Sequence, residues 1–506
     1  MDDGTFGKMK KTVIRLLQLS LLVSSGAAFA APADAVTKED LKALIERISK
    51  LEAENKAQAA RIAELEGKTK GADVTSGIAA SASGEAPVVA VDSGTVTNDT
   101  GRIFTTDQGF KYYLADKTAG IFEPLTKNGL KITPYGYFAF EAVHNTAKTE
   151  TDYITDWVLP RRNGRHNGDH QTTLSVQDSI LGFDLIAPET VDGWTFGGKA
   201  EFDLAGGNAN DYAFHWRHLY IDAAHESGWS FTIGQTWHLW KMVTPSEIDG
   251  AWLENTGHPY RRSPQLRVTR KWDFEDSSLE WRAGIVKNGP GMGGDRDGDG
   301  NQDNSASAWP LFESALIYQR DAAWEEAGSG KRWLLGLAGQ YGRDKSRRPT
   351  GVNGGEWVFG GDSDEYDSSM IMVAGKVPFW DFTLTGQFFA GENLGGVQAG
   401  IGQRVGFEEI GRPGREVGTV GGFIDLNWAF NEDWSFAVGY GFDDPDDGDA
   451  RSAAGRTYND RAYINTMYRL TEALRLGIEY AHLRTAYHDE GDASDDRFQF
   501  SALYDF

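Results

Sequence analysis

The sequence predicts an all-β fold, a transmembrane antiparallel β-barrel of about sixteen strands, preceded by a periplasmic α-helical coiled coil. Three observations carry the barrel. First, a tryptophan recurs after short polar turns. Trp194 follows Pro188–Gly193, Trp229 follows Glu226-Ser227-Gly228, and Trp281 follows Glu275–Ser278; Trp333, Trp380 and Trp434 repeat the pattern. Strands crossing one membrane–water boundary at one height place amphipathic rings there. Second, the segments after these turns alternate. In 473–480, Leu474, Leu476, Ile478 and Tyr480 share a face, with Arg475, Gly477 and Glu479 opposite. In 194–204, Trp194, Phe196, Ala200, Phe202 and Leu204 oppose Lys199, Glu201 and Asp203. A dry core would not hold such charges unpaired, so the inner face is wet. Third, connections alternate in length. Short turns at 187–193, 224–228, 275–278, 378–379, 430–433 and 470–472 are separated by long polar stretches at 145–171, 240–263, 288–308, 344–366, 391–415 and 443–455. Short turns on one rim and long loops on the other are the outer-membrane barrel pattern. A β-propeller also alternates its loops, but its blades repeat in sequence and this chain does not.

Composition narrows the classes. There is no cysteine among the 506 residues, which excludes disulfides and thiolate metal sites. The net charge of −24 argues against a nucleic-acid-binding surface. A mean hydropathy of −0.46 excludes a helical membrane protein but suits a barrel, where only alternate residues face lipid.

In chain order, residues 1–30 read as a secretory signal peptide. Lys8, Lys10, Lys11 and Arg15 precede an apolar run to Phe29, and Ala28-Phe29-Ala30 is a small-residue cleavage site. Residues 31–66 form the periplasmic oligomerisation helix. Leu41, Ile48, Asn55 and Ile62 occupy heptad a positions, and Leu44, Leu51, Gln58 and Leu65 occupy d. Arg47 with Glu52, and Arg61 with Glu66, fall where interchain ion pairs form. The polar layers at Asn55 and Gln58 fix register, and Ile at a with Leu at d favours two strands. Residues 67–131 comprise a Gly/Ala/Ser/Thr-rich linker, 67–100, and an aromatic-bearing segment, 101–131 (Phe110, Tyr112, Tyr113, Phe122), expected to act as a plug or collar. Residues 132–506 form the barrel.

The last strand carries Phe498, Phe500, Tyr504 and the terminal Phe506 on one face. This resembles the Gram-negative porin superfamily, whose members typically end on an amphipathic strand with a terminal aromatic. The resemblance implies that Phe506 and Tyr504 are the signal read by the barrel-assembly machinery. Tyr135-Gly136-Tyr137, Arg217-His218-Leu219-Tyr220 and Gly234-Gln235-Thr236-Trp237, together with the amino-terminal heptads, resemble the DcaP-like trimeric porins. That resemblance implies a homotrimer in the outer membrane, against the dimer favoured by the heptads alone, with its helices in the periplasm. It also implies a water-filled channel for small hydrophilic solutes.

In porins the third long loop folds inward, and its acidic groups face a basic cluster on the wall. By strand count that loop is 240–263. Glu247 and Asp249 are the candidate acids, and Arg261 and Arg262 close the loop. Arg217, Arg267, Arg282 and Lys199 are the candidate wall cations, and they predict a mild anion preference. Arg161, Arg162, Arg165 and His166 form another basic run in the first loop. Asp295, Asp297, Asp299 and Asp303 have the spacing of a calcium loop, giving a candidate Ca²⁺ site in an extracellular loop, although the closing Glu of an EF-hand is replaced by Ala306. No other cofactor is expected. No H-E-x-x-H, G-x-S-x-G or phosphate-loop motif occurs, and Gly400-Ile401-Gly402 lacks a strand–helix context, so no enzyme is expected. The rival readings are a substrate-specific channel and a plugged barrel that tethers the outer membrane to peptidoglycan.

Overall fold

The computed structural model describes residues 125–127, 129–160, 170–206, 212–288, 307–324, 331–353, 356–449 and 455–506. The signal segment, the heptad helix from Leu41 to Leu65, the basic run at Arg161–His166 and the Asp295–Asp303 stretch lie outside the described residues.

The strands are β1 (Leu125–Lys127), β2 (Leu130–Asn145), β3 (Gln171–Ser175), β4 (Ile180–Val191), β5 (Trp194–Asp203), β6 (His215–His225) and β7 (Trp229–Trp237). They continue as β8 (Arg262–Asp273), β9 (Ser277–Val286), β10 (Ser307–Asp321), β11 (Arg332–Asn353), β12 (Glu356–Phe379) and β13 (Phe382–Glu392). A small hairpin, β14 (Val405–Gly406) with β15 (Arg415–Glu416), precedes β16 (Gly418–Ala429), β17 (Trp434–Pro445), β18 (Arg456–Arg469), β19 (Leu474–Tyr487) and β20 (Ala493–Asp505). β3 and β4 are halves of one strand, both paired with β2. The barrel is a closed, antiparallel, sixteen-strand sheet. β20 closes it against β2, from Tyr137 opposite Asp505 to Asn145 opposite Arg497.

Alternation builds the wall. Ile478 is 61% exposed on the outside while its neighbour Glu479 is 2% exposed on the inside. Phe138, Phe140, Phe231, Ile233, Phe498, Phe500 and Tyr504 also point outward, an apolar surface suited to hydrocarbon rather than water. The recurrent aromatics gather on the short-turn rim. Phe382 stacks on Trp428 at 5.6 Å, Trp428 meets Phe436 at 5.6 Å, and Trp434 stacks on Tyr468 at 4.5 Å. These contacts run unbroken over β13, β16, β17 and β18.

Two expectations are corrected. The first barrel strand begins at Leu130 rather than 132, and Leu125–Lys127, at the end of the segment expected as a plug or collar, already pairs with it. The stretch 344–366, expected as a polar loop, is mostly strand. β11 and β12 stay paired to Asn353 opposite Glu356, well past the point where β10 and β13 stop flanking them, at Asp344 and Ser369. Cross-strand ion pairs hold the ribbon, with Arg348 at 2.7 Å from Asp364 and Arg343 at 2.8 Å from Asp367. Phe359 packs on Phe407 from the 393–417 loop. Opposed charges stabilise a ribbon that carries no apolar alternation to announce it.

Candidate functional site

The third long connection, residues 238–261 between β7 and β8, does not leave the barrel. It turns inward and is almost entirely buried. At its start the Leu239 N–H donates to Glu313 Oε2 at 2.8 Å and Trp240 Nε1 donates to Gln340 Oε1 at 2.9 Å, tying it to β10 and β11. Trp237, Trp252 and Tyr260 pack with ring centroids 5.5 to 6.3 Å apart. The Lys241 ammonium lies 5.1 Å from the Trp237 ring and 5.6 Å from Trp252, a desolvated cation–π site. The loop then crosses to the opposite wall. Ser246 Oγ donates to Asp425 Oδ1 at 2.8 Å, and the Ile248 N–H donates to Glu479 Oε2 at 2.7 Å. Glu247 Oε1 lies 2.6 Å from Arg461 Nη1, and Asp249 Oδ2 lies 3.0 Å from the same nitrogen and 3.2 Å from Arg497 Nε. On the return, Gln387 on β13 donates to the Gly257 carbonyl at 3.2 Å. Gly257 has φ 106°, and a Cβ there would sit 2.1 Å from the Gly422 carbonyl oxygen, so only glycine lets the loop lie against β16.

Two other loops brace it. The 146–170 loop sends the Val158 N–H to Thr485 Oγ1 at 2.9 Å, and its Asp156 carbonyl accepts from Asn459 at 2.7 Å. The 393–417 loop donates the Gly402 N–H to Asn255 Oδ1 at 2.9 Å, while Arg261 Nη1 donates to the Gly396 carbonyl at 2.9 Å. Among the described residues eight non-glycines have positive φ, and six of them lie in these two loops: Trp252, Leu253 and Asn255 in one, Asn393, Gln398 and Ile401 in the other. Such conformations persist only where surrounding contacts over-determine them.

The residues singled out from sequence separate into two groups. Glu247 and Asp249 lie inside the barrel on the inward loop. The expected wall cations do not meet them. Arg217 lies between Glu201 at 2.7 Å and Asp203 at 3.0 Å, and Arg282 Nε is 2.5 Å from Glu280. Arg267 donates to Gln265 Oε1 at 3.1 Å, and Arg262 lies over the Trp237 ring at 4.3 Å. Lys199 lies 3.3 Å from Asp184. The loop instead spans the lumen and meets Arg461 on β18 and Arg497 on β20. Inward parity was readable for both arginines; the depth of the loop crossing was not.

The loop also carries a titratable packing site. Burial pushes the Glu254 carboxyl up to about 7, although Tyr260 donates to it at 3.0 Å. Burial and the nearby Lys241 charge push His258 down to about 3, so it packs as neutral imidazole. A carboxyl raised in the folded state contributes stability that is complete below its unfolded value, near 4.5, and is lost as pH rises through about 7. Glu254→Gln is therefore expected to reduce the loss of thermal stability between pH 5 and pH 8. An unchanged pH profile of the melting transition would rule this out.

No protein-family model matches the chain, and no curated protein does. Among solved structures, the outer membrane channel DcaP of Acinetobacter baumannii is similar over 76% of this chain and 100% of its own, with TM-score 0.57 and 18% identity. OmpT of Vibrio cholerae is similar over 76% and 100%, with TM-score 0.49 and 12% identity. The anion-selective porin from Comamonas acidovorans is similar over 74% and 100%, with TM-score 0.45 and 12% identity. The first of these shares the fold: this chain forms a porin-like barrel.

Proposed function

We propose that this protein is an outer-membrane porin that passes small hydrophilic solutes by diffusion, with a mild preference for anions. The observation that supports it best is the third long loop, buried inside a barrel with an apolar outer surface and tied to the far wall; in this reading it narrows the lumen. A narrowed, charged lumen discriminates solutes by size and charge. In this reading the protein is a homotrimer whose amino-terminal helices lie in the periplasm, and its last strand is read by the assembly machinery. The Asp295–Asp303 loop binds Ca²⁺, which calorimetry at millimolar Ca²⁺ checks.

Planar-bilayer recording of the purified mature protein in a KCl gradient tests the porin reading. The expected result is stepwise conductance closing in threes, with a reversal potential on the anion side. Silence from a folded, heat-modifiable barrel would move the assignment to the plugged tether. A clear cation preference would remove the anion proposal alone.

A further inference from the structure

The inner surface is not uniform. On the wall from β16 to β20 the inward charges are sealed: Asp425, Arg461, Arg475, Glu479 and Arg497 are all 2% exposed or less. The inward loop and the 146–170 brace reach Asp425, Arg461, Glu479 and Arg497, while Arg475 donates to Asp505 at 2.7 Å. Glu247 and Asp249, the acids of that loop, are 0% and 1% exposed. A permeating solute cannot exchange its hydration for groups that touch no water. The loop's acids and their arginines are therefore structural ties that no solute touches directly.

The wall from β4 to β8 differs. Asp184 keeps 31% of its side chain exposed and Lys199 keeps 12%, and Tyr135, Tyr220 and Arg267 are half-buried on the same inner face. Lys199 is built in rather than trailing. Its ammonium donates to Tyr135 Oη at 2.9 Å, lies 4.4 Å from the centre of that ring, and pairs with Asp184 at 3.3 Å. Tyr135 in turn donates to Glu201 Oε2 at 2.7 Å, and Glu201 holds Arg217. The Tyr135 ring lies over Gly182, where a Cβ would sit 2.2 Å from Cζ. Behind it, His218 Nδ1 lies 3.0 Å from Thr236 Oγ1. Three separate sequence motifs (135–137, 217–220 and 234–237) thus converge on one patch of wall. Its more exposed charges include two cations, Lys199 and Arg267, and one anion, Asp184.

We propose that the conducting path runs along the β4–β8 wall and that Lys199, positioned by Tyr135 and Asp184, is its charge-selecting residue, favouring solutes that carry an anionic group. This rests on the porin reading above. The test is reversal-potential measurement in a tenfold KCl gradient on wild type, Lys199→Met, Lys199→Glu and Tyr135→Phe, each first shown to be a heat-modifiable barrel. Lys199→Met is expected to abolish the anion preference, and Lys199→Glu to reverse it by at least threefold in permeability ratio, with conductance within twofold of wild type. Tyr135→Phe, which keeps the ring and removes the hydroxyl, is expected to give a smaller shift of the same sign as Lys199→Met. An unchanged reversal potential in both Lys199 variants would overturn the assignment while leaving a working porin. Silence of the wild-type protein would instead remove the porin reading, and this path with it. If Lys199→Glu does not fold, Lys199→Met alone decides.

Discussion

Arg461→Ala is expected to widen and unsettle the pore: single-channel conductance at least doubles, the open level becomes noisy, and the barrel unfolds at a lower temperature. Arg461 is fully buried and holds three partners of the inner loops: Glu247, Asp249 and the Thr155 carbonyl. Removing it leaves Glu247 without its cation; burial already raises that carboxyl against the pull of Arg461. Breaking a buried pair by deleting one partner costs about 3–5 kcal/mol, more than the net worth of the pair, because the remaining charge stays desolvated. The loop can relieve this only by leaving the wall, and its other ties there are neutral or shared. Asp249 keeps Arg497 at 3.2 Å, so the displacement is partial and the current flickers rather than steps. Arg461→Lys keeps the charge but not the planar fork, and is expected to fall between wild type and alanine. Glu247→Gln combined with Arg461→Ala is expected to recover part of the lost thermal stability. Wild-type conductance from Arg461→Ala would show that the remaining ties, among them Ser246 to Asp425 and Asp249 to Arg497, hold the loop without Arg461.

Much of the barrel was legible because its signals are local. Trp194, Trp229 and Trp434 each open a strand, as the turn pattern required, and the parity that placed Glu479 and Arg475 inside needs only neighbouring residues. The loop that enters the barrel followed from counting strands. Its contacts did not. Glu247 and Arg461 are separated by 214 residues, and nothing local distinguishes a loop that stops at the near wall from one that reaches the far one. Arg217 illustrates the same limit. It looked like a constriction cation until Glu201 and Asp203, on the adjacent strand, proved close enough to neutralise it. The β11–β12 ribbon was misread for a different reason. Its strands are joined by the backbone ladder with opposed charges such as Arg348 and Asp364 across it, and a polar segment of that composition has the appearance of a loop.

Removing Phe506 is expected to reduce assembled barrel in the outer membrane by at least tenfold, with Phe506→Tyr retaining most of it. The terminal residue sits on the seam that closes the sheet. Its N–H donates to the Gly136 carbonyl at 3.0 Å, and its ring lies 5.0 Å from Phe138. Gly136 has φ 156°, and a Cβ there would lie 2.2 Å from the Ile180 carbonyl oxygen and 2.9 Å from Phe506 Cζ, so glycine lets β2 lie this close to both. The direct stability lost with one partly buried ring is at most about 1.5–3 kcal/mol, the figure for full burial of such a side chain. That is small against a wall closed by nine register pairs between β2 and β20. A tenfold loss in cells would therefore exceed what the seam itself loses, and would support the proposal that this strand is recognised before the barrel closes. The two contributions separate in one comparison: detergent refolding of purified chain lacking Phe506 should proceed with only a modest drop in thermal stability. Failure to refold in detergent would place Phe506 in the closing of the seam itself, and the assembly signal would have to lie elsewhere on β20.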